Sequence, residues 1–117
     1  DYYPYYWGIR AFHHGKKDVF IPIIKPGNFW FDTKGTIEVL MDACEQLEIE
    51  GMHSVSHQES RITIPLKITS SGLRMTKYRI EMHCVDAKTI EISIYDIGFG
   101  MIREGSGQIH REEFKLP

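Results

Sequence analysis

The sequence has two cysteines, Cys44 and Cys84, too few for the disulfide framework that small secreted domains rely on. It has no run of about 18 apolar residues, so no segment reads as a membrane-spanning helix. No signal peptide is visible at its start. Charge of one sign is not in excess either. The 14 Lys and Arg against 16 Asp and Glu leave a net −2, which excludes a bulk polycation drawn to nucleic acid. Internal repeats, low-complexity tracts and paired-cysteine zinc motifs are missing. The glycine-rich stretch 98–107 lacks the Gly-Lys-Ser/Thr ending of a phosphate loop and reads as a connector.

What is present fits one soluble domain. A chain of 117 residues with 42% hydrophobic and 26% charged residues can bury a core without a metal or disulfide staple. Both cysteines fall on apolar faces of the elements expected below, as buried reduced thiols of an intracellular protein would. The chain opens at Asp1 instead of methionine, so a fragment or processed piece of a larger protein is expected.

Periodicity divides the chain. The aromatic start, Tyr2 to Trp7, leads into a short strand at 9–12, and 19–24, interrupted by Pro22, reads as an edge strand or an extended connection. In 34–48, Ile37, Leu40, Met41, Cys44 and Leu47 recur at helical spacing opposite Glu38, Asp42, Glu45 and Glu48. Asp32 or Thr33 offers an N-cap, and Gly51 a stop. Beyond it the period becomes two: Ile62, Ile64, Leu66 and Ile68, then Tyr78, Ile80, Met82 and Cys84, then Ile90, Ile92 and Ile94. A second, short helix is expected from Ile109 to Leu116. The fold class that follows is α+β, an antiparallel sheet of four to five strands with a long helix over about 34–48 packed on one face.

No catalytic constellation converges. Cys44 and Cys84 lack the electropositive, accessible setting of a nucleophile. The six histidines include His53 and His57 four apart, but in a stretch that looks extended, so no metal site is expected. The uneven feature is basic: Arg61, Lys67, Arg74, Lys77 and Arg79 lie in a stretch without an acid. If 61–69 and 74–85 pair as a hairpin, Lys67, Lys77 and Arg79 share the outward face and Arg74 sits near the turn. That face is either a solvated sheet surface or a site for an anionic partner, with nucleic acid disfavoured because no aromatics are interleaved.

Three segments carry a resemblance. Trp7-Gly-Ile-Arg10, the stretch from Thr36 to Leu47, and that from Lys77 to Thr89 resemble the C-terminal regulatory domain of AMP-activated protein kinase catalytic subunits, in the kinase-associated domain 1 group. Asp42-Ala-Cys-Glu-Gln-Leu47 is also similar to the matching helix of checkpoint kinase tails. Residues 13–33 stand as an insertion against that pattern. The resemblance implies a non-catalytic tail without cofactor, in the cytoplasm or peripheral at the inner membrane surface. Such a tail binds its kinase domain, companion subunits or anionic phospholipid, with Arg61, Lys67, Arg74, Lys77 and Arg79 chosen here for the anionic contact. A second resemblance, of the strand from Lys88 to Asp96 to rhabdovirus matrix proteins, implies a self-associating structural protein instead.

Overall fold

Alternation of inward and outward side chains governs nearly the whole chain. The computed structural model describes residues 2–42, 45–66, 75–102 and 104–116. It contains eight strands: β1 (Tyr5–His13), β2 (Lys16–Ile24), β3 (Lys34–Asp42), β4 (Gln46–His53), β5 (Glu59–Pro65), β6 (Met75–Asp86), β7 (Thr89–Gly98) and β8 (Gly107–Lys115). Among the described residues the one helical piece is a 3-10 turn at Trp30–Asp32. The strands form two antiparallel sheets of four, ordered β2-β1-β4-β5 and β3-β6-β7-β8.

The α+β expectation is therefore overturned, because the fold is all-β. The long helix over 34–48 is replaced by β3 and β4, and the helix from Ile109 to Leu116 by β8. The physical reason lies in two period-2 runs set end to end. Ile37, Val39 and Met41 line up with Ile80, Tyr78 and Thr76 of β6, while Glu38, Leu40 and Asp42 take the other face. Leu47 and Ile49 pair with Ile64 and Ile62 of β5. Read as one segment, Ile37, Leu40, Met41 and Leu47 mimic a helical stripe. Thr36, Ile37 and Val39 are β-branched, and with a sheet partner on offer their χ1 stiffness favours the strand. Cys44, which completed the stripe, lies outside the described residues. The segment 36–47 quoted for the kinase-tail resemblance thus contributes to two strands in different sheets.

Strands stand where the sequence reading puts other strands, although β1 and β2 begin at Tyr5 and Lys16, ahead of the expected 9–12 and 19–24. β1 and β2 are strands, and β2 with Pro22 is an edge. β6 and β7 join through a two-residue turn, where the Asp86 carboxylate accepts the Lys88 backbone N–H at 2.8 Å. That hydrogen bond holds the Asp86 carboxyl below the usual carboxylate range. The expected hairpin of 61–69 with 74–85 is not made. β5 pairs with β4 in one sheet, and β6 pairs with β3 and β7 in the other.

The inner faces bury Trp7, Ile9, Ile49 and Ile64 from one sheet against Ile80, Met82, Ile90, Ile92 and Ile94 from the other. Each such side chain contributes about 1.5–3 kcal/mol of transfer free energy. Two glycines make close approaches possible. Gly51 stands opposite Trp7, and a β-carbon there would lie 2.4 Å from the indole ring. At Gly35 in β3 it would lie 1.8 Å from the Ile23 carbonyl oxygen of β2, so the two edge strands touch backbone to backbone.

Candidate functional site

The residues chosen from sequence for an anionic contact do not form one patch. Lys67 and Arg74 lie outside the described residues. Arg61 is on β5, the outer edge of one sheet, and its Nε is 3.9 Å from Glu48. Lys77 and Arg79 are on β6 in the other sheet and do share the outward face, as expected from their spacing. Arg79 is engaged: its Nε lies 3.0 Å from Glu81 and its guanidinium 4.6 Å from the Tyr95 ring centroid. Glu38 stands opposite it on β3. Farther along, Glu91 lies 3.2 Å from Arg111 and 3.9 Å from His83. The face is a lattice of both signs, with the acids supplied by β3, β7 and β6 itself.

The histidines are likewise dispersed. His53 Nδ1 accepts the backbone N–H groups of Val55 and Ser56 at 3.2 and 3.1 Å, which fixes the turn after β4. Among the described residues no group of three or more His, Cys, Asp or Glu is arranged to hold a metal ion. Cys84 is buried, and burial pushes its thiol up to about 11, which leaves almost no thiolate at neutral pH. Asp96 is a buried acid that sequence reading passed over. It accepts hydrogen bonds from the Thr76 hydroxyl at 2.7 Å, the Gly98 N–H at 3.0 Å and the Ser106 hydroxyl at 3.3 Å. It ties the loop after β7 to the sheet.

The most distinctive surface lies along β3. This strand is the edge of its sheet, and its outer side has no strand partner among the described residues. Beside it runs an open groove of about 880 Å³ between the two sheets. One wall is Ala11, Phe12 and Ile21 from the β1–β2 hairpin, with His13; the other is Ile37, Val39, Leu40 and Met41, with Met75 at the end, together with Glu38 and Asp42 of the same strand. Phe12, Leu40 and Met75 are exposed, an arrangement that leaves apolar surface in water next to free backbone hydrogen-bonding groups.

The other three edges are guarded. β2 carries Pro22 within the strand and Asp18 at a positive φ of 55°. β5 is short and ends on Pro65. β8 turns His110 and Glu112 toward the core side, opposite Ile94 and Ile92, where the two side chains meet at 2.8 Å. Proline, irregularity and inward charge all discourage pairing with another chain. β3 is nine residues long and has only apolar side chains on its inward row past Gly35. The sequence signal for this site was the alternation Ile37, Val39, Met41, which the helical reading absorbed.

Residues 3–116 match a family described as Domain of unknown function (DUF8552), and the chain belongs to that family. No curated protein and no solved structure matches it.

Proposed function

We propose that this member of the DUF8552 family is a non-catalytic interaction module that binds an extended peptide segment of a partner protein as an added strand on β3. The observation that carries this reading is an edge strand, open over 36–42 beyond its Gly35 contact with β2, lying directly beside a largely apolar groove. In strand addition, main-chain hydrogen bonds supply affinity and pockets for alternate side chains supply specificity. β3 offers the first through its outer edge and the second through Ile37, Val39 and Met41 with Ala11 and Ile21 across the gap. The partner segment therefore has apolar residues at every second position.

A second copy of the chain is the less favoured occupant. The fully overlapping antiparallel register pairs Lys34 with Asp42 but sets Glu38 against its own copy, and like charges directly opposite are destabilising. The kinase-tail assignment drew on a helix where β3 and β4 stand, so only its non-catalytic binding part is carried into this proposal.

The test is a titration of the labelled protein with a hexapeptide of alternating threonine and valine, followed by amide NMR. Shift changes and slowed hydrogen exchange confined to 36–42 and the facing hairpin support strand addition. Leu40→Lys, at an exposed position, should weaken binding about tenfold or more by charging the groove wall. Changes that map to β8, or none at all, overturn the proposal. The same amides protected at high protein concentration without peptide would make a second copy the occupant.

A further inference from the structure

We infer that the outer face of the β2-β1-β4-β5 sheet carries a separate binding site, a hollow that takes an organic cation borne on an apolar body. Two rows of cross-strand partners build it. One row runs Tyr6–Met52–Glu59 across β1, β4 and β5; the other runs Pro22–Gly8–Glu50 across β2, β1 and β4. Between them lies a depression of about 520 Å³, within the ordinary range for a small-ligand site.

Gly8 shapes the hollow. A β-carbon at this position would come within 2.3 Å of the Ile21 carbonyl oxygen and 2.7 Å of Phe20 Cζ. Only glycine lets the Phe20 ring lie down against the strand and form a wall. Tyr6, Phe20, Pro22 and Met52 give the site an apolar lining with two aromatic rings.

The rim decides the sign of the ligand. Arg10 is already committed: its Nε is 2.9 Å from Glu50, its Nη1 donates to the Asp18 carbonyl at 3.2 Å, and its guanidinium lies 5.9 Å from the Phe20 ring centroid. Arg61, on the neighbouring stretch of β5, has its Nε 3.9 Å from Glu48. Glu59 lines the hollow and has no charged partner among the described residues. With Arg10 and Glu50 cancelling, the hollow holds one uncompensated negative charge beside aromatic walls. A protonated amine or guanidinium satisfies both, by a charge-assisted hydrogen bond to Glu59 and by attraction to the Tyr6 ring, while its apolar body packs against Phe20, Pro22 and Met52. An anion would meet Glu59 unfavourably, and a neutral ligand would gain the apolar contact alone. The hollow is on the sheet that does not contain β3, so it stands or falls independently of strand addition.

Amide NMR titrations with four probes test the assignment: phenethylammonium, phenethyl alcohol, phenylacetate and acetyl-arginine amide. At least one cation should shift Tyr6, Phe20, Met52 and Glu59 and bind about tenfold more tightly than the neutral alcohol, with phenylacetate weaker still. Glu59→Gln, a substitution at an exposed side chain, should bring the cations to the level of the alcohol. Tighter binding of the arginine amide points to a side chain of a partner protein, and tighter binding of phenethylammonium to a free amine. Equal binding of cation and alcohol, insensitivity to Glu59→Gln, or shifts elsewhere on the surface would overturn the site.

Discussion

The indole N–H of Trp7 donates to the Tyr3 hydroxyl at 2.7 Å inside the core, where the two residues are 1% and 2% exposed. A buried donor keeps its partner or costs the fold its desolvation. Tyr3→Phe preserves the ring and removes the acceptor, which strands the indole N–H. The expected loss is about 1–3 kcal/mol in urea unfolding. Trp7→Phe in the Tyr3→Phe background should show coupling, because the second change removes the group that the first left unpaired.

Cys84 is buried beside this pair, and the Tyr3 hydroxyl and the Cys84 thiol influence each other's ionisation. Burial raises its thiol from 9.0 to about 11 and raises the Tyr3 hydroxyl in the same direction. The folded state therefore holds these protons more tightly than the unfolded one. The associated stability is fully present below about pH 9 and is lost as pH climbs toward about 11. Urea midpoints measured from pH 7 to 11 should fall over that window, and Cys84→Ala should make the fall shallower. In the same way, iodoacetamide at pH 8 should leave Cys84 untouched until denaturant is added. Labelling mapped to Cys84, as distinct from the second thiol Cys44, at the rate of a free thiol in the native protein would show that the site is open.

Gly35 gives a test of the contact between the two edge strands. With a β-carbon only 1.8 Å from the Ile23 carbonyl, Gly35→Ala forces β2 and β3 apart. Overpacking of this kind costs about 1–3 kcal/mol or more. The same change should perturb the amides of Ile23 and Ile37 before those of β8, since the strain enters at one edge. A variant as stable as the parent would mean that the sheets can slide apart freely there.

How much of this fold the sequence discloses depends on how each segment's two periods compete. β6 and β7 are legible because Tyr78 to Cys84 and Ile90 to Ile94 alternate without a rival pattern. β3 and β4 are not, because two short alternating runs place Ile37, Leu40, Met41 and Leu47 at spacings that a helix also satisfies. Only the register with β6 and β5 distinguishes the two, and that is a property of distant residues. The candidate site shared the fate of β3. The basic residues failed as a patch for a related reason: Arg61 and Lys77 are close in sequence, yet β5 and β6 belong to opposite sheets. The hollow over Gly8 had no linear signal, since Tyr6, Phe20, Met52 and Glu59 come from four strands.

The contrast between β3 and β8 leads to the last prediction. Both are edges of the same sheet, but β8 turns Glu112 toward the core side opposite Ile92, with its side chain 49% exposed and 2.8 Å from His110. A second chain pairing with β8 would have to bury that carboxylate, which is costly without a new partner. Glu112→Val removes the deterrent and adds a β-branched apolar residue to a free edge, so self-association should appear in sedimentation velocity at concentrations where the parent stays monodisperse through this edge. Adding Arg at Phe114, on the same inward row opposite Ile90, should reverse it if pairing along β8 is the cause. Association that survives this second change, or that is blocked instead by Leu40→Lys on β3, would place the vulnerable edge on the other side of the sheet. The charge on β8 would then be an ordinary surface feature with no part in keeping chains apart.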